Sequence, residues 1–169
     1  MKNDKAKNAA LFGVMVALAF TFSYLESLIP FDFGIPGVKL GLANLVVVVA
    51  IYIMKPPQAF AISVIRILLA SLTFGNVYSL AYSLCGGLLS FAVMIAFKKS
   101  KLSVIGVSML GGICHNIGQI IMAAIVMQTV RIVYYLPVLL IAGLLTGMLL
   151  GIASKAVINR FEKIKDIKA

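Results

Sequence analysis

Six long apolar stretches, separated by short polar or proline-containing segments, make up most of the sequence. A helix that crosses the ~30 Å hydrocarbon core of a bilayer needs about 20 predominantly apolar residues. The stretches are of that order, and they leave no room for a separate soluble domain. The pattern therefore predicts one all-α integral membrane domain over residues 1–169, with six transmembrane helices at about 9–28, 39–54, 59–74, 77–97, 104–128 and 134–158.

The composition agrees with a polytopic membrane protein and excludes an ordinary soluble domain. Hydrophobic residues account for 62% of the chain and charged residues for 12%, and the mean hydropathy is +1.10. The lysine-rich start followed by an apolar run is similar to a secretory signal, but the run is long and no A-x-A cleavage site follows it. We interpret it as a retained first transmembrane helix.

The net charge of +10 reflects membrane topology rather than a nucleic-acid surface, because the cations lie mostly at helix ends and in the tails. Cytoplasmic loops of membrane proteins carry an excess of lysine and arginine. Six helices with both termini inside place twelve of the fifteen cations in the cytoplasm and leave Lys39, Arg66 and Arg131 outside or in the membrane. The reverse orientation inverts that ratio, so we predict an N-in/C-in topology.

Helix-breaking and small residues predict where helices end and where they touch. Lys55-Pro56-Pro57-Gln58 separates the second and third helices, since prolines there cannot continue a helix unkinked, and Gly75-Asn76 forms a tight turn before the fourth. In the last helix, glycines stand at four-residue spacing, at Gly143, Gly147 and Gly151. This spacing indicates close helix packing rather than a ligand site.

The fifth helix carries the most polar face, which contains His115, Asn116 and Gln119. His115 and Gln119 lie one turn apart on the same side. Such a cluster fits a ligand-facing surface, or it joins helices by hydrogen bonds. Metal binding is not expected, because no cysteine, aspartate or second histidine stands at ligand spacing. Cys85 and Cys114 lie inside apolar runs and are interpreted as buried, inert thiols.

Arg66 lies near the middle of the third predicted helix and is a second candidate. An ionisable group inside a bilayer is expensive and is a functional candidate by default. It binds an anionic or polar ligand, or it is a structural cation satisfied by carbonyl groups, by Glu26 or by asparagine side chains. Both interpretations remain open on the sequence alone.

Lys39 and Asn44 follow a Pro-Gly turn at the start of the second predicted helix. The lysine either extends its ammonium group to the membrane interface, or it binds a carboxylate or phosphate together with the free backbone N–H groups of the helix start. We predict that Lys39 and Asn44 form one wall of a pocket whose other walls carry Arg66 and His115. The candidate substrate-binding residues are therefore Glu26, Lys39, Asn44, Arg66, His115, Asn116 and Gln119.

Catalysis by this chain is not expected, and neither is a cofactor. The aspartates are Asp4, Asp32 and Asp166, so no aspartate-rich cluster is present to bind a magnesium diphosphate. The sequence also has no P-loop, CxxC pair, paired carboxylates or nucleophile motif.

Several segments together resemble one family. They are Pro36–Asn44, Arg66–Leu69, Gly86–Ser90 and Gly112–Gln119. In this order, along essentially the whole hydrophobic region, they are similar to the heptaprenyl diphosphate synthase component I family, also called the Gx transporter family. That family more distantly resembles the substrate-binding S components of energy-coupling factor transporters, which are six-helix membrane proteins. The resemblance implies an S-component-like bundle in the bacterial cell membrane.

The same resemblance implies a partner and a position for the site. S components dock on a transmembrane coupling subunit through small residues of the first helix, and Ala9, Gly13 and Ala17 form a similar face here at four-residue spacing. ATPases attached to that subunit would supply the energy. The substrate site of S components opens on the outer side beneath the first loop, the position that Phe31–Lys39 occupies in this chain.

Two functions of different classes follow. The first is a substrate-binding membrane subunit for uptake of a small, anionic or polar-headed molecule. The alternative is a non-catalytic membrane component of prenyl diphosphate or quinone synthesis, or of quinone-linked electron transfer, with a prenyl or quinone lipid as its ligand. An internal cavity that opens outward favours the uptake subunit. A lateral gap that is open to lipid favours the component of prenyl or quinone synthesis. A third interpretation, a purely structural scaffold, predicts satisfied polar side chains and no cavity.

Overall fold

A computed structural model describes residues 2–28 and 41–167 of the chain. Every regular element in these two ranges is helical. The elements in order are α1 (Lys2–Leu28), α2 (Asn44–Ile53), α3 (Pro56–Phe74), α4 (Val77–Phe97), α5 (Val104–Val126), a 3-10 helix (Val130–Tyr135) and α6 (Leu136–Ile167).

Five of the helices in the described ranges are long and apolar enough to cross a membrane, with the 3-10 helix and α6 counted as one continuous stretch. The protein is therefore a multi-pass membrane protein. Both α1 and α6 extend beyond the predicted spans, to Lys2 and to Ile167. Hydropathy marks only the apolar part of a helix, and here the polar turns beyond it are helical too.

The prediction of a second helix over 39–54 is wrong at its start. Lys39 lies outside the described residues, and α2 begins only at Asn44 and has 10 residues. That corresponds to about 15 Å, roughly half the thickness of a bilayer core. The helix cannot begin earlier because Gly41 has φ +81, a left-handed conformation that does not continue a right-handed helix. The backbone N–H of Asn44 donates to the Gly41 carbonyl oxygen at 2.7 Å and closes the turn.

The short helix α2 lies at the centre of the bundle. Its residues from Val46 to Ile51 are all buried, so it has no face directed at lipid or water. A helix that is apolar all round is stable only where other elements surround it. All five long helices contribute to the cluster around α2, through Met15 and Ala19, Ala59 and Ile62, Phe91 and Met94, Val107, and Ile158.

Contacts near the helix ends show how the helices run relative to one another. Phe20 and Tyr24, near the end of α1, lie against Phe74 at the end of α3, with ring centroids 5.2 and 5.1 Å apart. At the other side of the bundle, Lys98 follows α4, and its ammonium group donates to the Ile51 carbonyl oxygen near the end of α2. This contact satisfies a carbonyl that a helix end leaves unpaired. Burial, and then the neighbouring charge of Lys99, lowers the pKa of Lys98.

Glycines bring α5 and α6 into backbone contact. A Cβ at Gly112 would lie 2.2 Å from the Gly143 carbonyl oxygen, and one at Gly147 would lie 2.7 Å from the Ser108 carbonyl oxygen. A Cβ at Gly151 would lie 2.8 Å from the Ile105 Cα. The prediction that the glycine stripe of the last helix is a packing surface is therefore confirmed.

The predicted helix boundaries at proline and asparagine are present. Pro56 and Pro57 occupy the first turn of α3, where a missing N–H costs nothing, and the Lys55 N–H donates to Gln58 Oε1 at 3.3 Å. At the next break, Asn76 caps α4 by accepting a hydrogen bond from the Ser79 N–H at 2.8 Å.

Candidate functional site

Buried polar side chains collect on the inner faces of the bundle. Inside a membrane protein such groups are costly unless they are paired or bind something. We use the name interior polar cluster for the connected set Glu26, Asn44, Arg66, Ser90, His115, Asn116 and Gln119, each of which is no more than 8% exposed. This cluster is the candidate site.

Arg66 is the charged residue around which the cluster is arranged. It lies on α3, is 7% exposed, and its Nη2 donates to Asn44 Oδ1 at 2.5 Å. Arginine stays protonated inside proteins, so a full positive charge is buried here. The partner of this charge, Asn44, is neutral. The Nε of Arg66 has no hydrogen-bond partner among the described residues.

Glu26 connects the end of α1 to the start of α2 and to Arg66. It is 7% exposed, and its carboxylate accepts a hydrogen bond from the backbone N–H of Gly41. The carboxylate also interacts electrostatically with Arg66. Together with the Asn44 contact, these interactions join α1, the turn before α2, and α3 around one buried cation.

His115 and Gln119 extend the cluster along α5. His115 is 6% exposed and interacts electrostatically with Arg66. Gly86 of α4 packs against both residues, since a Cβ there would lie 2.7 Å from the His115 carbonyl oxygen and 3.0 Å from Gln119 Cγ. Neither amide atom of Gln119 has a hydrogen-bond partner within the described part of the chain. Nδ1 of His115 makes no hydrogen bond of good geometry there, although the imidazole interacts with the Gly86 backbone. These atoms are available to a ligand.

Asn116 joins helices. Its Nδ2 donates to the Leu139 carbonyl oxygen of α6 at 2.5 Å. A Cβ at Gly143 would lie 2.8 Å from the same amide nitrogen, so a glycine there leaves room for the contact. Of the two interpretations of the polar face of α5, helix-to-helix hydrogen bonding therefore applies to this residue.

A small cavity lies between α2, α4, α5 and α6, beside the interior polar cluster. Its volume is about 10 Å³, roughly the room that one water molecule needs. The polar residues in its wall are Asn44, Ser90, Ser108, His115, Asn116 and Thr146. Its apolar wall consists of Val48, Met94, Gly111, Gly112, Gly147 and Leu150.

The structure brings together most of the side chains that the sequence singled out. Asn44, His115 and Asn116 line one cavity, and Arg66 reaches it through Asn44. Glu26 and Gln119 belong to the interior polar cluster but do not line the cavity. Lys39 lies outside the described residues, so its predicted place in the same wall stays a prediction.

Sequence reasoning missed part of the cavity wall. Ser90 and Ser108 line the cavity and belong to stripes of polar and small residues on α4 and α5. Those two stripes are the sequence signal from which both residues could have been found. Thr146 stands in an apolar helix beside Gly147 and carries no comparable signal. The contribution of Gly41 is a backbone N–H, which no side-chain pattern reveals.

The predicted partner face is exposed among the residues that the structure describes. Ala9, Gly13 and Ala17 are exposed on α1, and a Cβ built at Gly13 meets nothing within 4 Å. This differs from Gly112, Gly143 and Gly147 of α5 and α6, where the backbone of the neighbouring helix occupies the space that a side chain would fill.

Within the described ranges, no group of three or more histidine, cysteine, aspartate or glutamate side chains could hold a metal ion. Cys85 and Cys114 are free thiols and are partly buried. The expectation that the chain binds no metal stays a prediction.

Comparison with known proteins gives one result. The sequence pattern of the family described as heptaprenyl diphosphate synthase component I matches residues 15–157. No curated protein and no solved structure matches the chain. The family match runs from the middle of α1 into α6 and includes every member of the interior polar cluster. The chain therefore belongs to the heptaprenyl diphosphate synthase component I family.

Proposed function

We propose that the protein is a substrate-binding membrane subunit, similar to an S component, for uptake of a small anionic or polar-headed molecule. The observation that carries the proposal is the buried charge of Arg66, which holds a neutral amide and leaves its Nε–H unpartnered among the described residues. Unpartnered donors on His115 or Gln119 lie nearby. Each such buried group costs about 1–3 kcal/mol, which a ligand rich in acceptors would recover.

Binding of a metabolite requires the helices to separate. The cavity of about 10 Å³ is too small for an organic molecule. The central helix α2 is the element whose displacement would enlarge it, because α2 supplies Asn44 and Val48 to the wall. We place the substrate between α2 and the polar faces of α4 and α5, with its charged group at Arg66.

The proposal includes the topology and the energy source. Twelve of fifteen cations lie on the cytoplasmic side if the chain crosses six times with both termini inside. The sixth crossing corresponds to the predicted span 39–54, of which the structure describes α2. Energy would come from a separate coupling subunit and its ATPases, docked on the exposed face of Ala9, Gly13 and Ala17.

A first prediction concerns ligand capture by Arg66. Arg66→Met removes the buried charge and keeps an unbranched apolar side chain, whereas Arg131→Met removes an exposed arginine and serves as the matched control. Loss of a charge-assisted hydrogen bond costs about 1.5–3 kcal/mol, or roughly 10- to 100-fold in affinity. Small molecules extracted from equal amounts of purified protein and quantified by mass spectrometry should fall by that factor in the first variant only.

Retention of no small molecule by the unmodified chain would count against substrate capture. So would equal retention by the Arg66 and Arg131 variants. Gel filtration of both variants separates loss of ligand from loss of fold.

A second prediction concerns the partner face on α1. Gly13→Leu adds a bulky side chain where nothing lies within 4 Å, so the fold of this chain should be unaffected. Docking of another helix through a small-residue face should be abolished. Val14→Phe enlarges a neighbouring residue that is 55% exposed and is the matched control. We expect a coupling subunit to co-purify with the Val14 variant and not with the Gly13 variant. Co-purification with the Gly13 variant would contradict the proposed docking face.

The family match supports a second candidate function. The family is named as a component of heptaprenyl diphosphate synthase, so a non-catalytic membrane component of prenyl diphosphate or quinone synthesis is the alternative. The same extraction distinguishes the two. A prenyl or quinone lipid in the organic phase, together with a co-purifying prenyl-transferring subunit, supports the alternative; a water-soluble metabolite supports uptake.

A further inference from the structure

Two polar atoms in the wall of the interior cavity have no partner among the described residues. Ser90 is 1% exposed and its Oγ makes no hydrogen bond, and Nδ1 of His115, which is 6% exposed, makes none either. Both side chains line the cavity of about 10 Å³. A buried hydroxyl or imidazole nitrogen that lacks a hydrogen bond loses its interaction with water without replacement, so an occupant that bonds to both would stabilise the bundle.

The size of the cavity and the polar groups in its wall match a water molecule. A space of about 10–15 Å³ holds one water, and a buried water makes two to four hydrogen bonds. The wall offers Ser90 and His115, and beside them Asn44, Ser108 and Thr146. The absence of a side chain at Gly111 keeps this space open, since a Cβ there would lie 3.2 Å from Ser90 Oγ and 2.6 Å from Met94 Sδ.

Other occupants fit less well. Divalent cations such as Ca²⁺ and Mg²⁺ favour carboxylate oxygens in their coordination shell, and no carboxylate is among the residues that line the cavity. Arg66 does not line the cavity, but its positive charge acts on His115, which does, and therefore disfavours a cation there. A metabolite exceeds the volume.

We propose that the cavity between α2, α4, α5 and α6 binds one resident water molecule, which bridges Ser90 Oγ on α4 and His115 Nδ1 on α5. The proposal does not depend on the proposed function, because it concerns the closed bundle. A substrate that entered between α2, α4 and α5 would displace this water. The bridging water links α4 and α5 through their polar faces, and it therefore also positions His115 within the interior polar cluster.

Two methionines in the core provide a built-in measurement. Met94 lines the cavity and is 2% exposed, whereas Met15 is 5% exposed and packs in the apolar core away from the cavity wall. Brief X-ray radiolysis of the purified full-length protein splits water into hydroxyl radicals. A water bound inside the protein therefore produces a radical at its own position. A radical formed in the cavity adds to the nearby thioether, and dissolved oxygen removes a further electron and a proton to leave the sulfoxide, which mass spectrometry detects.

The expected result is a several-fold higher labelling rate at Met94 than at Met15, although Met15 is slightly more exposed. Equal rates, or a higher rate at Met15, would overturn the proposal. Ser90→Ala removes one hydroxyl and should lower the Met94 rate while leaving the Met15 rate unchanged. An unaltered Met94 rate in that variant contradicts the assigned bridge.

An ion as the occupant is distinguished by changing the salt. Replacing sodium chloride by choline gluconate at equal ionic strength should leave the Met94 labelling rate and the melting temperature unchanged. A clear dependence of either on the small ion would show that the ion, and not water, fills the cavity.

Discussion

Replacing Gly112 by alanine is expected to prevent stable packing of α5 against α6. The added Cβ would lie 2.2 Å from the Gly143 carbonyl oxygen and 3.1 Å from its carbonyl carbon. Both are backbone atoms of a helix, so they cannot move aside as a flexible side chain does. Overpacking a core costs about 1–3 kcal/mol and sometimes more, and a contact this short belongs at the upper end. A large fall in the melting temperature of the detergent-solubilised protein, with loss of a monodisperse peak, is the measurement.

Gly13→Ala is the matched control for this variant. It makes the same chemical change in α1, where a Cβ meets nothing within 4 Å. Alanine also favours a helix over glycine by about 1 kcal/mol. The melting temperature should therefore be unchanged or slightly raised. If both alanine variants melt alike, the close backbone contact between α5 and α6 is not what limits stability.

Removing the charge of Glu26 is expected to destabilise the bundle strongly. Glu26→Gln keeps an oxygen that accepts from the Gly41 N–H but removes the carboxylate whose charge interacts with Arg66. Breaking a buried charge pair on one side costs about 3–5 kcal/mol, because the remaining charge is left uncompensated. The melting temperature of the single variant, measured in the same detergent, should fall accordingly.

A double variant and a surface control separate the charge from other effects of the substitution. Glu26→Gln combined with Arg66→Met removes both charges and should recover much of the lost stability. Glu162→Gln changes an exposed glutamate on α6 and should leave the melting temperature unaltered. A double variant that is less stable than Glu26→Gln alone would mean that Arg66 stabilises the fold without its carboxylate partner.

The membrane class and most helices of this protein could be predicted from the sequence, because those properties are local. A run of apolar residues is long enough to cross a bilayer or it is not, and prolines at 56 and 57 end a helix whatever surrounds them. The role of the α6 glycines in helix packing could also be predicted, since small residues at four-residue spacing form one flat face of a helix. Candidate polar residues could be recognised from the cost of burying them.

The tertiary structure decided which of these residues meet. Glu26 and Gly41 are 15 positions apart, and Asn44 and Arg66 are 22 positions apart. Their contacts exist because α2 is short and enters the middle of the bundle through a left-handed turn at Gly41. Hydropathy cannot distinguish such a helix from one that faces lipid, since both are apolar on every side.

The cavity shows the same division between local pattern and three-dimensional packing. The polar face of α5 indicated His115 as a candidate interior residue, and the structure buries it together with Ser90 of α4, which the sequence did not single out. The size of the space between them depends on how closely the backbones approach, and therefore on glycines from several helices at once. The sequence by itself determined what kind of groups line the interior. Only packing determined that they enclose room for one small polar molecule, because a volume is set by distances between helices and not by the order of residues within one.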